Sequence, residues 1–480
     1  MSRSWLIARE EWRLMRRDKV AVASLALVLL LAFAAILSAW EHHRDVSAQQ
    51  ARYQQQADRE FASQPDRHPH RMAHYGHYLF RPLGPLAVFD PGIDLYTGRS
   101  LYLEAHRQNS ANFGEVRQSS LLVRFGQLSP AFVLQVLAPL LLIFAGHGVL
   151  ARERESGVLR VLLAQGVRGG ELVRGKVLAV AGVALAVLLP AAAVLAWMAL
   201  ARPGDAPLSA LLAALLVAAY AGWLLLWSLL VTVVSAWCRR SRDALLVLLA
   251  LWAVLVVMLP RAVPDLVNAV VALPTRLEST IAVERELAAI GDSHDPDDPY
   301  YNGFRQQVLA QYGVRRVEDL PVNYKGLLKT EGERLTSALF DRHAKAAFAL
   351  QFRQGRLTDT LGWLSPAFAL RRLSMTVAAT DLHGYRDFLQ QGERYRYGLV
   401  QALNRLEAEQ IRYADAVDPA RENRIDHHHW QDLPAFAYVP PSLAGTVQRA
   451  LAPALVLLAW LAAWLWLARV AARRLEGMAR

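Results

Sequence analysis

The sequence predicts an α-helical polytopic membrane protein with six transmembrane helices, a mixed outer lobe and a mainly helical outer domain. Three observations lead there. The chain of 480 residues is 54% hydrophobic and only 20% charged, with positive mean hydropathy, a membrane balance rather than that of a soluble domain. Its apolar residues gather into six runs long enough, at about 1.5 Å per helical residue, to cross a hydrocarbon layer of roughly 30 Å. Between two pairs of these runs lie long hydrophilic segments, the second carrying the three- and four-residue apolar spacing of amphipathic helices.

Residues 1–19 are basic and precede the first span, 20–40, which has 21 residues without a charge. The 19-residue flank and the length of the run favour an uncleaved anchor over a signal peptide, whose apolar core is about 7–15 residues. Residues 41–127 form the first extracytoplasmic region. The run "RHPHRMAHYGHYLFRPLGPLAVFDPGIDLYTGRS" is dense in turn formers and predicts an irregular lobe with short strands or turns. "LSPAF" at 128–132 sets Ser129 as N-cap and Pro130 at the first helical position, opening the second span, 128–150.

Residues 151–176 form a cytoplasmic loop, followed by spans at 177–201 and 208–237, a cytoplasmic turn at 238–243 and a fifth span at 244–260. The second extracytoplasmic domain, 261–448, is mainly helical, with amphipathic patterns at 325–354 and 381–414. A second "LSPAF" at 364–368 starts a helix, "ALRRLSMTV", too short and too charged to cross, which reads as interfacial or packed. The sixth span is 449–468 and the cytoplasmic tail is 469–480.

Charge fixes the orientation, because Lys and Arg near span ends stay on the cytoplasmic side. The four segments assigned inside hold 19 basic and 8 acidic residues, an excess equal to the formal net charge of +11. The high pI therefore reflects membrane orientation and not nucleic-acid binding. Both termini are expected in the cytoplasm. Cys238 is the single cysteine, so the outer regions contain no disulfide.

"GELVRGK" from Gly170 to Lys176 fits the first seven positions of a P-loop, but Val177 stands where magnesium needs a hydroxyl and no strand precedes it. The match is a decoy. Within the loop, Arg152, Glu153, Arg154 and Glu155 end the second span. Val158, Leu159, Val161, Leu162 and Leu163 then make an apolar stripe on a short helix closed by Gly166. That helix serves either as a docking peg for a soluble partner or as a helix lying on lipid. Pro139 and Pro190 fall inside spans, where proline frees backbone groups; they are candidate flex points, or simple packing distortions.

The residues Arg154, Glu155, Gly157, Leu159, Leu162, Leu163, Arg168, Gly175 and Lys176 resemble the "REXGTLEXLLXXPXXRXXXXXGK" element of type-2 ATP-binding-cassette exporter permeases, with Val158 for Thr, Arg160 for Glu and Gly166 for Pro. The N-terminal "AREEWRLMRRDK" resembles that family's amphipathic connecting helix. "FDPGIDLYTGRSLYLEAHRQN" and "LSPAFALRRLSMTVAATDLHGYRDFL" look like a subgroup with long extracytoplasmic insertions of unassigned function. The resemblance implies a permease subunit of the bacterial inner membrane whose 151–176 loop couples to a separate ATPase. It further implies pairing with a second permease, identical or different, and an extracytoplasmic accessory protein is a further candidate partner. The chain itself is then no enzyme and binds no cofactor, ATP and magnesium belonging to the partner. The alternative is a membrane-anchored scaffold or metal-handling maturation factor whose outer domain binds a metal or a protein.

His68, His70, His74 and His77 are the imidazoles that would hold a metal in the first outer region, with His106, His42 and His43 nearby in sequence; His70 with His74, or His74 with His77, share a face if that segment is helical. "DHHHW" adds Asp426, His427, His428 and His429. Neither cluster has a fixed metal spacing, and no metal site is assigned; surface and packing roles are expected. Asp292, Asp295, Asp297 and Asp298 lack the spacing of a calcium loop and read as a solvated turn. No HExxH, GxSxG or cysteine-pair motif occurs. The span interiors hold only Gln135 and hydroxyls such as Ser228 and Thr232, with His147 at the inner edge. That pattern disfavours catalysis or a proton relay in the bilayer.

Overall fold

A computed structural model describes residues 2–109, 128–201, 208–291, 295, 297–417 and 423–477. Residues 110–127 of the first outer region, Asp292 of the acidic turn and residues 478–480 of the tail lie outside the described residues. Among the described residues six helices are long and apolar enough to cross a membrane: Lys19–Ala62, Pro130–Glu155, Gly169–Ala201, Ala210–Trp237, Ser241–Val270 and Leu443–Gly477. The chain is a helical, multi-pass membrane protein.

The elements that position the sites are α1 (Arg3–Arg17), α2 (Lys19–Ala62), α3 (Pro69–Tyr75), α4 (Ala138–Gly146), α5 (Val158–Ala164), α6 (Gly169–Ala201), α7 (Ala210–Trp237), α8 (Ser241–Trp252), α9 (Leu259–Val270), α10 (Arg276–Ile290), α11 (Pro299–Tyr312), α12 (Tyr324–Leu361), α13 (Pro366–Ala378), α14 (Leu382–Gln410) and α15 (Leu443–Gly477). Strands β1 (His77–Phe80) and β2 (Ser100–Leu103) pair antiparallel, from His77 opposite Leu103 to Phe80 opposite Ser100.

The helices outrun the apolar runs. The expected irregular lobe beginning at residue 41 is instead the second half of α2, which continues to Ala62. Residues 41–62 contain neither Pro nor Gly, so nothing stops the helix where lipid would end; hydropathy marks a crossing, not a helix terminus. Ser63 caps it just before Pro65. By contrast, the second long helix is interrupted. Its first turn leads into a π-helical turn at Val133–Leu137, and Pro139 follows at the start of α4. A proline donates no backbone hydrogen bond, and a wider turn before it accommodates the loss. The same pairing recurs at the π turn Ala253–Met258 before Pro260. Pro190 lies inside α6, which runs on through it.

At the centre stands α7, with Tyr220, Trp223 and Trp227 fully buried. It packs against α6, α15, α4 and α13. Helix α13 decides the role of the second "LSPAF": Leu370, Leu373 and Val377 are buried in the bundle's own core, so it is a packed helix. Both capping serines act as the sequence indicated, Ser129 Oγ accepting from Phe132 N at 3.1 Å and Ser365 Oγ from Ala367 N at 3.2 Å.

In the lobe, α12 and α14 run antiparallel: Asn323 N donates to Ala408 O at one end, and Gln401 Nε2 donates to Thr330 O further along. Helix α3 and strand β2 lie against α14. A polar chain joins lobe and bundle, in which Gln135 Nε2 donates to Tyr220 Oη at 2.7 Å, that hydroxyl meets Ser374 Oγ at 3.0 Å, and Ser374 Oγ donates to Asp90. Asp298 of the acidic turn has a structural task, accepting from Tyr300 N and Tyr301 N at the start of α11.

Candidate functional site

The site begins with α1. Ser2 caps it, Ala8, Glu11 and Met15 face inward, and Trp5, Leu6 and Leu14 are exposed. Its inner face rests on α6 at two glycines seven residues apart, so on one side of that helix. A Cβ at Gly175 would meet Ile7 at 2.7 Å, and one at Gly182 would meet the Trp12 ring at 2.5 Å. Trp12 Nε1 donates to Ala179 O at 2.8 Å between them.

This close approach buries charge. Glu11 is 1% exposed and Lys176 is 2% exposed. Lys176 Nζ donates to Glu11 and to Glu153, and Arg152 Nη2 closes the group on Glu11 at 3.0 Å. The sequence placed Lys176 at a membrane entry and, by resemblance, in a contact with an ATPase. The structure instead turns it into the interior, as the cation between two carboxylates. A lysine on an otherwise apolar helix face needs such partners, but a single sequence does not say which distant residues supply them.

From this ionic base α5 projects. Gly157 and Gly166 flank it with φ of 81° and 82°, and a Cβ at either would meet nothing within 4 Å. Glycine is needed there for the left-handed backbone, not for space. Leu159 and Leu163 turn inward and are buried, whereas Val158 and Val161 are 46% and 55% exposed, and Arg160 lies beside them. Arg3 Nη1 donates to Gly166 O at 3.0 Å, tying the end of the helix to α1.

The nine motif residues therefore divide. Leu159, Leu163, Gly175 and Lys176 are internal. Arg154 Nη1 donates to Cys238 O at 2.9 Å, and Glu155 accepts from Ser241 N at 3.1 Å, so both hold the 238–243 turn. Gly157 and Arg168 are exposed and Leu162 is half-buried. Val158, Val161 and Arg160 form the outward face. The sequence had the two valines within a single apolar stripe; their three-residue spacing, offset from the four-residue spacing of Leu159 and Leu163, is the signal that there are two faces.

The histidines of the lobe divide as well. Segment Pro69–Tyr75 is helical, so His70 and His74 do share a face, and His106 joins them; the three offer ring nitrogens that lie within 4.8 Å of one another. His68 stands apart as the N-cap of α3, its Nδ1 accepting from His70 N at 3.1 Å. His77 is buried against Asp58 at 3.0 Å. His427 forms an exposed group with Asp66 and Asp426, and His429 lies in the short helix that buries Trp430. Burial first, then the Lys329 charge, lowers His70 to about 2, and burial with Lys329 lowers His68 to about 4.

Beneath the histidines lies a buried ionic network. Arg396 Nη1 donates to Glu333 at 2.6 Å, and its Nη2 donates to Glu393 at 2.7 Å and Ser337 at 2.6 Å. Burial would raise the Glu333 carboxyl, but the His106 hydrogen bond and the Arg396 guanidinium outweigh it and bring the group down to about 2.

Residues 276–439 match a family described as a domain of unknown function, DUF3526. That match takes in α10 to α14, including Glu333, Glu393 and Arg396, and stops short of the long apolar helices on either side. No curated protein matches the chain.

Proposed function

We propose that the chain is the transmembrane permease subunit of an ATP-binding-cassette exporter in a bacterial inner membrane, driven by a separate ATPase that docks on the 151–176 loop. The carrying observation is the construction of α5. A seven-residue helix between two left-handed glycines is anchored by two leucines and presents two valines and an arginine outward. Its base is braced by α1 and by the Glu11, Lys176, Glu153 and Arg152 cluster. A braced peg transmits force, whereas a helix merely lying on lipid has no use for a rigid base. Charge supports the orientation, since the loop, α1 and the tail carry the excess of basic residues expected on the cytoplasmic side. ATP-driven closure of the partner would move the peg, and the π turn before Pro139 is where the adjoining helix has backbone freedom to answer. In this reading the chain pairs with a second permease and hydrolyses nothing itself.

The test is co-expression with candidate ATP-binding-cassette ATPase subunits encoded beside this chain, followed by purification in detergent. Wild type should retain an ATPase, and Val158→Asp with Val161→Asp should lose it while remaining inserted and folded. Equal retention by both would remove the docking role. The second reading, a membrane-anchored scaffold or metal-handling factor, is favoured by the histidine cluster of the lobe; it predicts that no ATPase is retained by either protein.

A further inference from the structure

The histidine cluster supports a site independent of transport. His70 and His74 are four residues apart on α3, a helix fixed by the His68 cap, by Pro69 in its first turn, and by burial of Met72 and Ala73 between it and the lobe core. Their Nε2 atoms stand 3.1 Å apart. Two nitrogens bound to one zinc ion at about 2.0–2.1 Å with a tetrahedral angle stand roughly 3.3 Å apart, so this pair needs almost no rearrangement. The third imidazole arrives from the segment after β2, with ring centroids of His106 at 5.6 Å from His70 and 5.3 Å from His74.

His106 is held in an unusual way. Its φ is 62°, in the left-handed region that a residue other than glycine seldom takes. In that conformation its backbone N–H donates to Glu333 Oε2 at 3.0 Å and its ring Nδ1 lies 3.2 Å from the same oxygen. Glu333 is in turn fixed through its other oxygen by Arg396 and Ser337. A carboxylate on one ring nitrogen selects the tautomer and aims the other nitrogen, which is the arrangement that supports histidine ligands in metal sites. That other nitrogen, His106 Nε2, is buried without a hydrogen-bond partner, and so is His70 Nδ1. The His106 nitrogen is costly to leave unpaired, and a metal ion would take its lone pair; His70 ligates through Nε2, so its Nδ1 has no part in the coordination.

We infer that His70, His74 and His106 form a binding site for a divalent transition-metal ion of the zinc class, with Glu333 as the supporting carboxylate. Three protein ligands leave a fourth position open, and His74 is exposed, so the ion is reached from solvent and is exchangeable rather than sealed in. The chemistry of three imidazoles suits zinc, copper, nickel or cobalt and disfavours calcium and magnesium, which take oxygen ligands. The sequence left the metal site unassigned, because His106 lies 32 residues beyond His74 and no spacing pattern connects them. The exposed Asp66, Asp426 and His427 group has no buried support and serves as the control.

The experiment uses the full chain in detergent, stripped with a chelator, dialysed against zinc and assayed for bound metal by elemental analysis, with affinity set by chelator competition. Wild type should hold one zinc per chain, and its cobalt form should show the intense visible bands of a four-coordinate ion. His74→Ala, at an exposed position, and His106→Asn, which tolerates the left-handed backbone, should each lose that ion with the melting profile of the metal-free protein unchanged. Glu333→Gln should weaken binding about 10–100-fold, while His427→Ala should leave it intact. A wild type that retains no zinc overturns the proposal. So does retention by His74→Ala and His106→Asn equal to wild type, or loss in His427→Ala alone.

Discussion

Lys176→Met is the most informative single perturbation, because the resemblance and the structure assign this residue opposite surroundings. In the structure its ammonium is the cation between Glu11, 1% exposed, and Glu153, which is largely buried. Methionine keeps the stem and removes the charge, leaving two carboxylates facing each other with only Arg152, an exposed residue, to compensate. Breaking a buried pair by deleting one partner costs about 3–5 kcal/mol. With unfolding entropy of about 2.1 cal/mol/K per residue over a chain of this length, that corresponds to a fall of roughly 3–5 °C in the melting midpoint if the chain melts as one unit. The assay is thermal unfolding in detergent, followed through tryptophan fluorescence, with Lys176→Met alone and combined with Glu11→Gln and Glu153→Gln. The combined variant replaces the three inner members by neutral groups of similar size and leaves only the exposed Arg152 charged, where water solvates it; such replacements are neutral or stabilising, so it should recover most of the loss. A single variant that melts with wild type, yet no longer retains an ATPase, would show that Lys176 faces a partner and would refute the buried-cluster argument.

Three further outcomes are expected. Val161→Asp alone should weaken retention of an ATPase by about 30-fold, since an unpaired charge in a closed contact costs on the order of 2 kcal/mol, and the melting midpoint should stay within experimental error. Gly182→Leu should displace α1, because even its Cβ would lie 2.5 Å from the Trp12 ring; the readout is faster tryptic cleavage at Arg16 and Arg17, and an unchanged rate would mean that α1 is not docked there. Arg396→Met should strand Glu333 and Glu393 in the lobe interior at a cost of about 3–5 kcal/mol, measured as a lowered lobe transition, and recovery by adding Glu333→Gln and Glu393→Gln would separate lost pairing from lost volume.

Six long apolar helices, the amphipathic helices of the lobe and both serine caps were legible in the residues, because each rests on local facts. Apolar length, a repeat of 3.6 and a capping oxygen act within one or two turns. The α2 boundary was missed for the same reason: a polar helix without breakers looks like a loop when only hydropathy is read. Which of the two faces of the Val158–Ala164 helix turns outward also required the fold, since both are apolar and the spacing separates them without saying which one is covered.

What the sequence by itself determined, then, is a helical membrane protein with several long apolar helices, a short helix between glycines and two long hydrophilic stretches, all set by periodicity and hydropathy. What only the tertiary structure decided is where distant polar groups meet. Lys176 finds Glu11 across 165 residues of chain and Arg396 reaches Glu104 O across 292. His106 joins His70 and His74 because α3, the end of β2 and α12 converge on one point of the lobe. The physical reason is that a buried charge or imidazole must be satisfied in three dimensions, and nothing in the order of residues along the chain specifies which partner will be near enough to do it.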